Sequence, residues 1–136
     1  MRVLFLGGTG NISAACVEHA LARGHQVGIL TRGQRPSPFG PWVEVLHGDR
    51  DDPAALGKAA GGRWDAVVDF LAYTPAQVDL AVSAFAGKAG QYVFIGTVAT
   101  YDKPNAPLPF TEDAPLAIPY WEYARLKIAC EGRVRS

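Results

Sequence analysis

The stretch Val3-Leu4-Phe5-Leu6-Gly7-Gly8-Thr9-Gly10-Asn11-Ile12-Ser13 joins a short apolar run, a glycine-rich turn and the start of a helical pattern. Four successive apolar residues read as a strand covered on both faces. Glycines straight after it permit a tight turn, and their missing side chains let a ligand approach the backbone. The helix that follows presents unpaired N–H groups and the positive end of its dipole, which together suit a pyrophosphate. Glycine turns also occur without ligands, so the context carries the reading: strand, glycines, helix, at the head of a βαβ unit.

Outward from this turn the chain alternates. A helix is expected over Ile12 to Arg23, with Ile12, Ala15, Cys16, His19 and Ala20 on one face and Gly24 as its stop. Strands are expected at Gln26 to Leu30, Val43 to Leu46, Ala66 to Phe70 and Gln91 to Ile95. A short helix starts at Pro53, capped by Asp51 or Asp52, and a second runs from Pro75 to Phe85. A loop with prolines at 104, 107, 109, 115 and 119 leads to a last helix from about Tyr120. Strand–helix alternation implies right-handed crossovers and an α/β fold, a Rossmann-type doubly wound parallel sheet of about five strands in order 3-2-1-4-5. At 136 residues the chain is one domain, 1–136, able to remove roughly two-thirds of its unfolded surface from water.

Composition narrows the function. With 13 basic and 13 acidic residues there is no basic excess of the kind that marks nucleic-acid or anionic-membrane binders. No apolar stretch approaches spanning length. Cys16 and Cys130 are the only cysteines; with no cluster of His or Cys near them they read as buried hydrophobes, with no metal site. A reduced, cytoplasmic protein is expected.

The glycine turn resembles that of the extended short-chain dehydrogenase/reductase family, the NAD(P)-dependent epimerases and dehydratases that act on nucleotide sugars. Gly7 and Gly10 match the first two of that family's three spaced glycines, and Ser13 replaces the third. The resemblance implies that Gly7, Thr9, Gly10, Asn11 and Ile12 hold a dinucleotide. An NAD site has an acidic residue about 20 positions on, but here the chain reads Thr31-Arg32-Gly33-Gln34-Arg35. Arg32 and Arg35 would instead hold the 2′-phosphate of NADP by forked hydrogen bonds, so NADP is expected over NAD. The plain alternative is two solvated arginines. By the same resemblance Asp49 faces the adenine and Arg50 beside it also binds the cofactor, though Asp49 to Asp52 also reads as a helix-capping run. Phe70, Leu71 and Ala72 would flank the ribose and nicotinamide.

Tyr123 and Lys127 stand at i and i+4, one turn apart on the last helix. A phenol that exchanges protons near neutrality needs its anion stabilised by roughly 4 kcal/mol. A neighbouring ammonium and a nicotinamide cation both act in that direction. The resemblance makes Tyr123 the acid/base, Lys127 its partner and a ribose ligand, and Thr97 the hydroxyl that holds the reacting group. Gly96 departs from the family's usual pair of serines, and Thr100 is the substitute if the alignment slips. The plain alternative is an amphipathic helix with Tyr123 packed and Lys127 solvated.

Family members continue into a second region that binds the sugar nucleotide, and this chain ends before it. Two functions therefore compete: an oxidoreductase or epimerase using hydride transfer, and a non-catalytic dinucleotide-binding sensor or interaction module. A homo-oligomer is also expected, with Ile118, Tyr120, Trp121 and Ile128 as contacts, because the fifth strand would be an uncovered edge.

Overall fold

The computed structural model describes residues 1–103, 105–116 and 121–135. Five strands, β1 (Arg2–Leu6), β2 (Gln26–Thr31), β3 (Val43–His47), β4 (Trp64–Asp69) and β5 (Ala89–Phe94), form one sheet in the order β3-β2-β1-β4-β5. Every pairing is parallel, with Phe5 opposite Ile29 on one side and Val68 on the other. This is the expected doubly wound sheet.

Alternation along each strand divides the core. Val3, Phe5, Val27 and Ile29 face helix α1 (Asn11–Ala22) and the buried ring of Phe39. Leu4, Leu6, Leu30 and Val67 face the other way, toward α2 (Pro53–Ala59) and α3 (Pro75–Phe85). The last helix, α4 (Glu122–Arg135), packs on α3, and its Cys130 is buried with Ala72 and Val78. None of the described helices is long and apolar enough to cross a membrane.

The helix ends follow their local chemistry. Gly24 takes φ +75° after α1, the left-handed stop that glycine allows. Of the two candidate caps for α2 the side chain of Asp52 does the work, accepting from the Ala54 N–H at 2.9 Å. Thr74 and Gln77 build a reciprocal capping box at the start of α3, as the Thr-x-x-Gln spacing favours.

Two expectations need correction, the inward face of α1 and the full burial of Cys16. The inward face of α1 is Ser13, Val17 and Ala20; Ile12 is 72% exposed, and Ala15 and His19 are also exposed. Alanines dominate this helix, so they define no face, and Val17, its one fully buried large side chain, sets the phase. Cys16 is only half-buried, on the flank of that face. The last helix begins, among the described residues, at Glu122; Ile118 and Tyr120 lie outside the described residues.

Trp64 ties the two halves of the sheet. Its buried ring reaches under β1 to Gly28 of β2, and its indole N–H donates to the Ala59 carbonyl at 2.8 Å. A Cβ on Gly28 would lie 2.5 Å from the ring edge, so this glycine marks a close approach. We expect Gly28→Ala to cost about 1–3 kcal/mol by overpacking. Urea unfolding would show it as a lower midpoint with an unchanged slope.

Candidate functional site

The carboxyl ends of β1, β2, β3 and β4 open onto one cleft of about 400 Å³, where the strand order reverses and ligands of such sheets bind. Gly7, Gly8, Thr9, Gly10, Arg32, Arg35, Asp49, Arg50 and Leu71 are among its walls. A larger hollow of about 790 Å³ lies at the opposite ends of the strands, walled by Arg2, Trp42 and Glu44. Its Arg2 is already stacked on Trp64 and paired with Glu44, and it holds none of the phosphate turn.

Gly7 and Gly8 leave β1 at φ +108° and +113°, which only glycine adopts without strain. Ser13 lies under the turn, where its Oγ accepts from the Gly10 N–H at 3.0 Å. In place of the third glycine a small hydroxyl thus pins the helix start. Helix α1 has no side-chain cap and no acidic residue in its first turn. Asn11 and Ile12, at that start, are exposed and outside the cleft wall, so their contribution to an anion is their backbone N–H groups. Exposed Arg32 and Arg35 line the cleft together with the glycine turn. Uncapped donors and two exposed arginines, in a cleft that also holds Asp49 and Asp51, fit a ligand that carries several phosphates and a polar base.

Asp49 is not the cap of α2, a role that falls to Asp52. One carboxylate oxygen accepts from the Asp51 N–H at 3.0 Å, while the residue still lines the cleft. Arg50 behaves differently. Only 4% exposed, its guanidinium turns inward, forming a salt bridge with Asp69 and donating to the Gln77 carbonyl and to Asp51, each at 3.1 Å. Burial works against its charge, but Asp69 more than offsets this and holds Arg50 above its ordinary value. Phe70 stacks on Phe5 within the core, Ala72 is fully buried, and Leu71 alone of that trio lines the cleft.

Lys127 is 2% exposed. Its Nζ donates to the carbonyls of Ile95 at 2.6 Å and Ala72 at 3.0 Å, and stands 4.1 Å from the ring centre of Phe94. Burial lowers its proton affinity, and Cys130, Asp69 and Glu131 recover part of that loss. The solvated lysine of the plain alternative is therefore not what the fold contains. One turn earlier on α4, half-buried Tyr123 sits between Tyr73 and Trp121, with ring centres 6.3 and 5.2 Å away. Thr97 lies at the head of a 3₁₀ turn, Val98–Thr100, which packs on α4. Its Oγ1 accepts from the Ala99 N–H at 3.2 Å, which leaves the hydroxyl proton to donate. Thr100 is buried and donates to the Thr97 carbonyl at 2.7 Å, so the substitute hydroxyl has a structural task.

Several groups escaped the sequence reading. Gly8, Thr31, Gln34, Asp51, Tyr73 and Gln77 also line the cleft. Asp69 is fully buried, accepting from Arg50, from the Tyr92 hydroxyl at 2.9 Å and from the Leu71 N–H at 2.8 Å. Burial, and then the Asp69 charge, push the Tyr92 phenol far above its usual range. An acid inside an apolar strand was the available signal, since a buried carboxylate requires a partner.

Comparison with known proteins agrees with this geometry. Residues 3–136 match the model of the NAD dependent epimerase/dehydratase family. The chain is 32% identical over 137 positions to the 2′-dehydrokanamycin reductase of Streptomyces kanamyceticus, covering 100% of this chain and 38% of that protein. It is 28% identical to a short-chain dehydrogenase/reductase superfamily protein from Agrobacterium tumefaciens solved with bound NAD. That match has a TM-score of 0.75 and covers 99% of this chain and 44% of the other. The UDP-glucose 4-epimerase of Bifidobacterium longum, solved with NAD+ and UDP, shares the fold at 20% identity, with a TM-score of 0.85 over 99% of this chain and 48% of that one. The chain thus spans less than half the length of these relatives. It belongs to the NAD dependent epimerase/dehydratase family.

Proposed function

We propose that this chain is the dinucleotide-binding part of a cytoplasmic NADP-preferring reductase or epimerase. Its substrate is a sugar-type hydroxyl or carbonyl compound, and Tyr123 is the acid/base. The observation that carries the reading is Lys127: a lysine taken almost wholly out of water, held by two backbone carbonyls, one helical turn from an accessible tyrosine. Burying an ammonium is costly, and a surface helix has no structural need for it. The 2′-dehydrokanamycin reductase and the UDP-bound epimerase point to sugar rings as the substrate class.

When bound, the nicotinamide accepts or returns a hydride at the reacting carbon. The chain's own residues do the remainder. The N–H groups of the first turn of α1 bind the pyrophosphate, and Arg32 and Arg35 hold the 2′-phosphate. Thr97 donates to the substrate oxygen. Tyr123 takes the hydroxyl proton when the substrate is oxidised and gives one back when it is reduced, while the Lys127 ammonium stabilises the phenolate and holds the ribose.

Three outcomes are expected. NADPH should bind more tightly than NADH in a fluorescence titration, and Arg32→Ala or Arg35→Ala should each weaken NADPH about three- to tenfold, the range for exposed charge-assisted contacts. Equal affinities, or a preference for NADH unchanged in Arg32→Ala, would remove the NADP assignment. Tyr123→Phe should leave nicotinamide binding nearly intact while lowering turnover by about 10²–10⁴-fold, whereas Lys127→Ala should impair both. Cofactor binding with no turnover of any sugar substrate would favour the sensor instead. Light scattering should also show self-association at high micromolar concentration, through the exposed edge of β5 and the α3–α4 face that shows Val82 and Val134. A monomer would dismiss that part.

A further inference from the structure

We infer that Arg50, Asp69 and Gln77 are positioning residues that fix the segment 71–74, and through it Lys127, without binding the cofactor themselves. The inference rests on the reading of Lys127 given above, but it concerns a part of the molecule to which that reading assigns no task.

The segment 71–74 follows β4 and precedes α3, so it has no strand partner for its backbone. Three of its N–H groups are instead held by side chains. Leu71 donates to Asp69 Oδ1 at 2.8 Å, and Tyr73 and Thr74 donate to Gln77 Oε1 at 2.7 and 3.1 Å. Between them the Ala72 carbonyl accepts from Lys127 Nζ. Each holding side chain is itself fixed. Asp69 Oδ2 is taken by Arg50 and by the Tyr92 hydroxyl. Gln77 Nε2 donates to both oxygens of Asp51 at 2.8 and 3.0 Å, which fixes the side chain, and the main-chain carbonyl of Gln77 separately accepts from Arg50. Arg50 is the hub, since it touches Asp69, Asp51 and Gln77 at once. Its buried Nε has no hydrogen-bond partner among the described residues, so the guanidinium is held here even with one donor left unsatisfied.

The consequence is specific. The same segment presents Leu71 to the cleft and a carbonyl to Lys127, and the ring of Tyr73 lies 5.4 Å from that ammonium. Loosening the relay releases one of the two carbonyls that anchor Lys127, that of Ala72, and lets water reach the ammonium. The glycine turn keeps its own support from Ser13. Asp69 also faces Lys127 electrostatically and favours its charged form, so the relay supplies charge as well as position.

Accessibility of Lys127 reads this out without cofactor or turnover. Brief acetylation of the native chain with an N-hydroxysuccinimide ester, followed by mass spectrometry, compares it with exposed Lys58, Lys88 and Lys103. In the parent chain Lys127 should react far more slowly than these three. Gln77→Ala and Asp69→Asn should raise its relative reactivity about tenfold, equivalent to about 1.4 kcal/mol of easier local opening. Gly28→Ala, which weakens the fold elsewhere, should leave Lys127 protected. Arg50→Lys should restore part of the protection lost in Arg50→Met. Because Gln77 contributes no buried charge, its variant tests the relay even if Asp69→Asn fails to fold.

Lys127 staying protected in folded Gln77→Ala and Arg50→Met would overturn the inference. So would an Arg50→Met chain that loses NADPH affinity together with part of its salt dependence while Lys127 stays protected, because Arg50 would then be a phosphate ligand. Lys127 becoming reactive with NADPH affinity unchanged supports the relay and counts against Lys127 as a ribose ligand, so the two readings fail separately.

Discussion

No side chain fits where the chain leaves β1. At Gly8 a Cβ would stand 2.6 Å from Cγ2 of Ile29, on a backbone at φ +113°. Both the space and the torsion demand glycine. That constraint makes the chain turn at once and begin α1 directly over the strand ends, where Ser13 pins the helix start to Gly10. A helix started in this way keeps its first N–H groups free and pointed at the switch point of the sheet. The neighbouring strand ends then carry whatever lines the cleft: Arg32 and Arg35 after β2, Asp49 after β3 and Leu71 after β4. The cleft is thus the geometric result of two glycines.

The far side of the same edge is organised by buried charge. Arg50, Asp69 and Lys127 are all withdrawn from water between β4, β5 and the helices above them. A hydrophobic replacement of similar volume is often neutral or stabilising at such places, so stability does not explain their presence. Arg50 and Asp69 neutralise one another while each holds a piece of backbone, and Lys127 is the charge that the proposed function would use.

Much of this was legible in the sequence because it is local. Strand–helix alternation, Gly24 as a helix stop and the prolines opening α2 and α3 each act over a few residues, and the sheet order follows from crossover handedness. The pair Tyr123 and Lys127 was legible because one helical turn brings i and i+4 together. The inward turn of Arg50 was not, since its partner lies 19 residues away in an apolar strand and the alternative partner, a phosphate, satisfies a guanidinium equally well. The face of α1 was misread for another reason. Its alanines give almost no contrast between sides, so the phase rests on Val17 and the buried hydroxyl of Ser13, and a serine does not announce itself as a core residue.

Gly96 shows how a departure from a family pattern can be accommodated physically. A Cβ at that position would lie 2.9 Å from Oε1 of Glu131, on α4 one turn beyond Lys127. A serine there would need the Glu131 carboxylate to move, and that carboxylate is among the charges favouring the ammonium of Lys127. Glycine at 96 therefore leaves room for an acid that supports the buried lysine, and in the proposed function the hydroxyl task would fall to Thr97 alone. Thr97 can carry it because its own turn uses the oxygen only as an acceptor, from Ala99. The second hydroxyl of the turn, on Thr100, is committed to the Thr97 carbonyl and fixes the backbone from which Thr97 projects. One threonine thus orients the other, so that a single free hydroxyl is held in a fixed place.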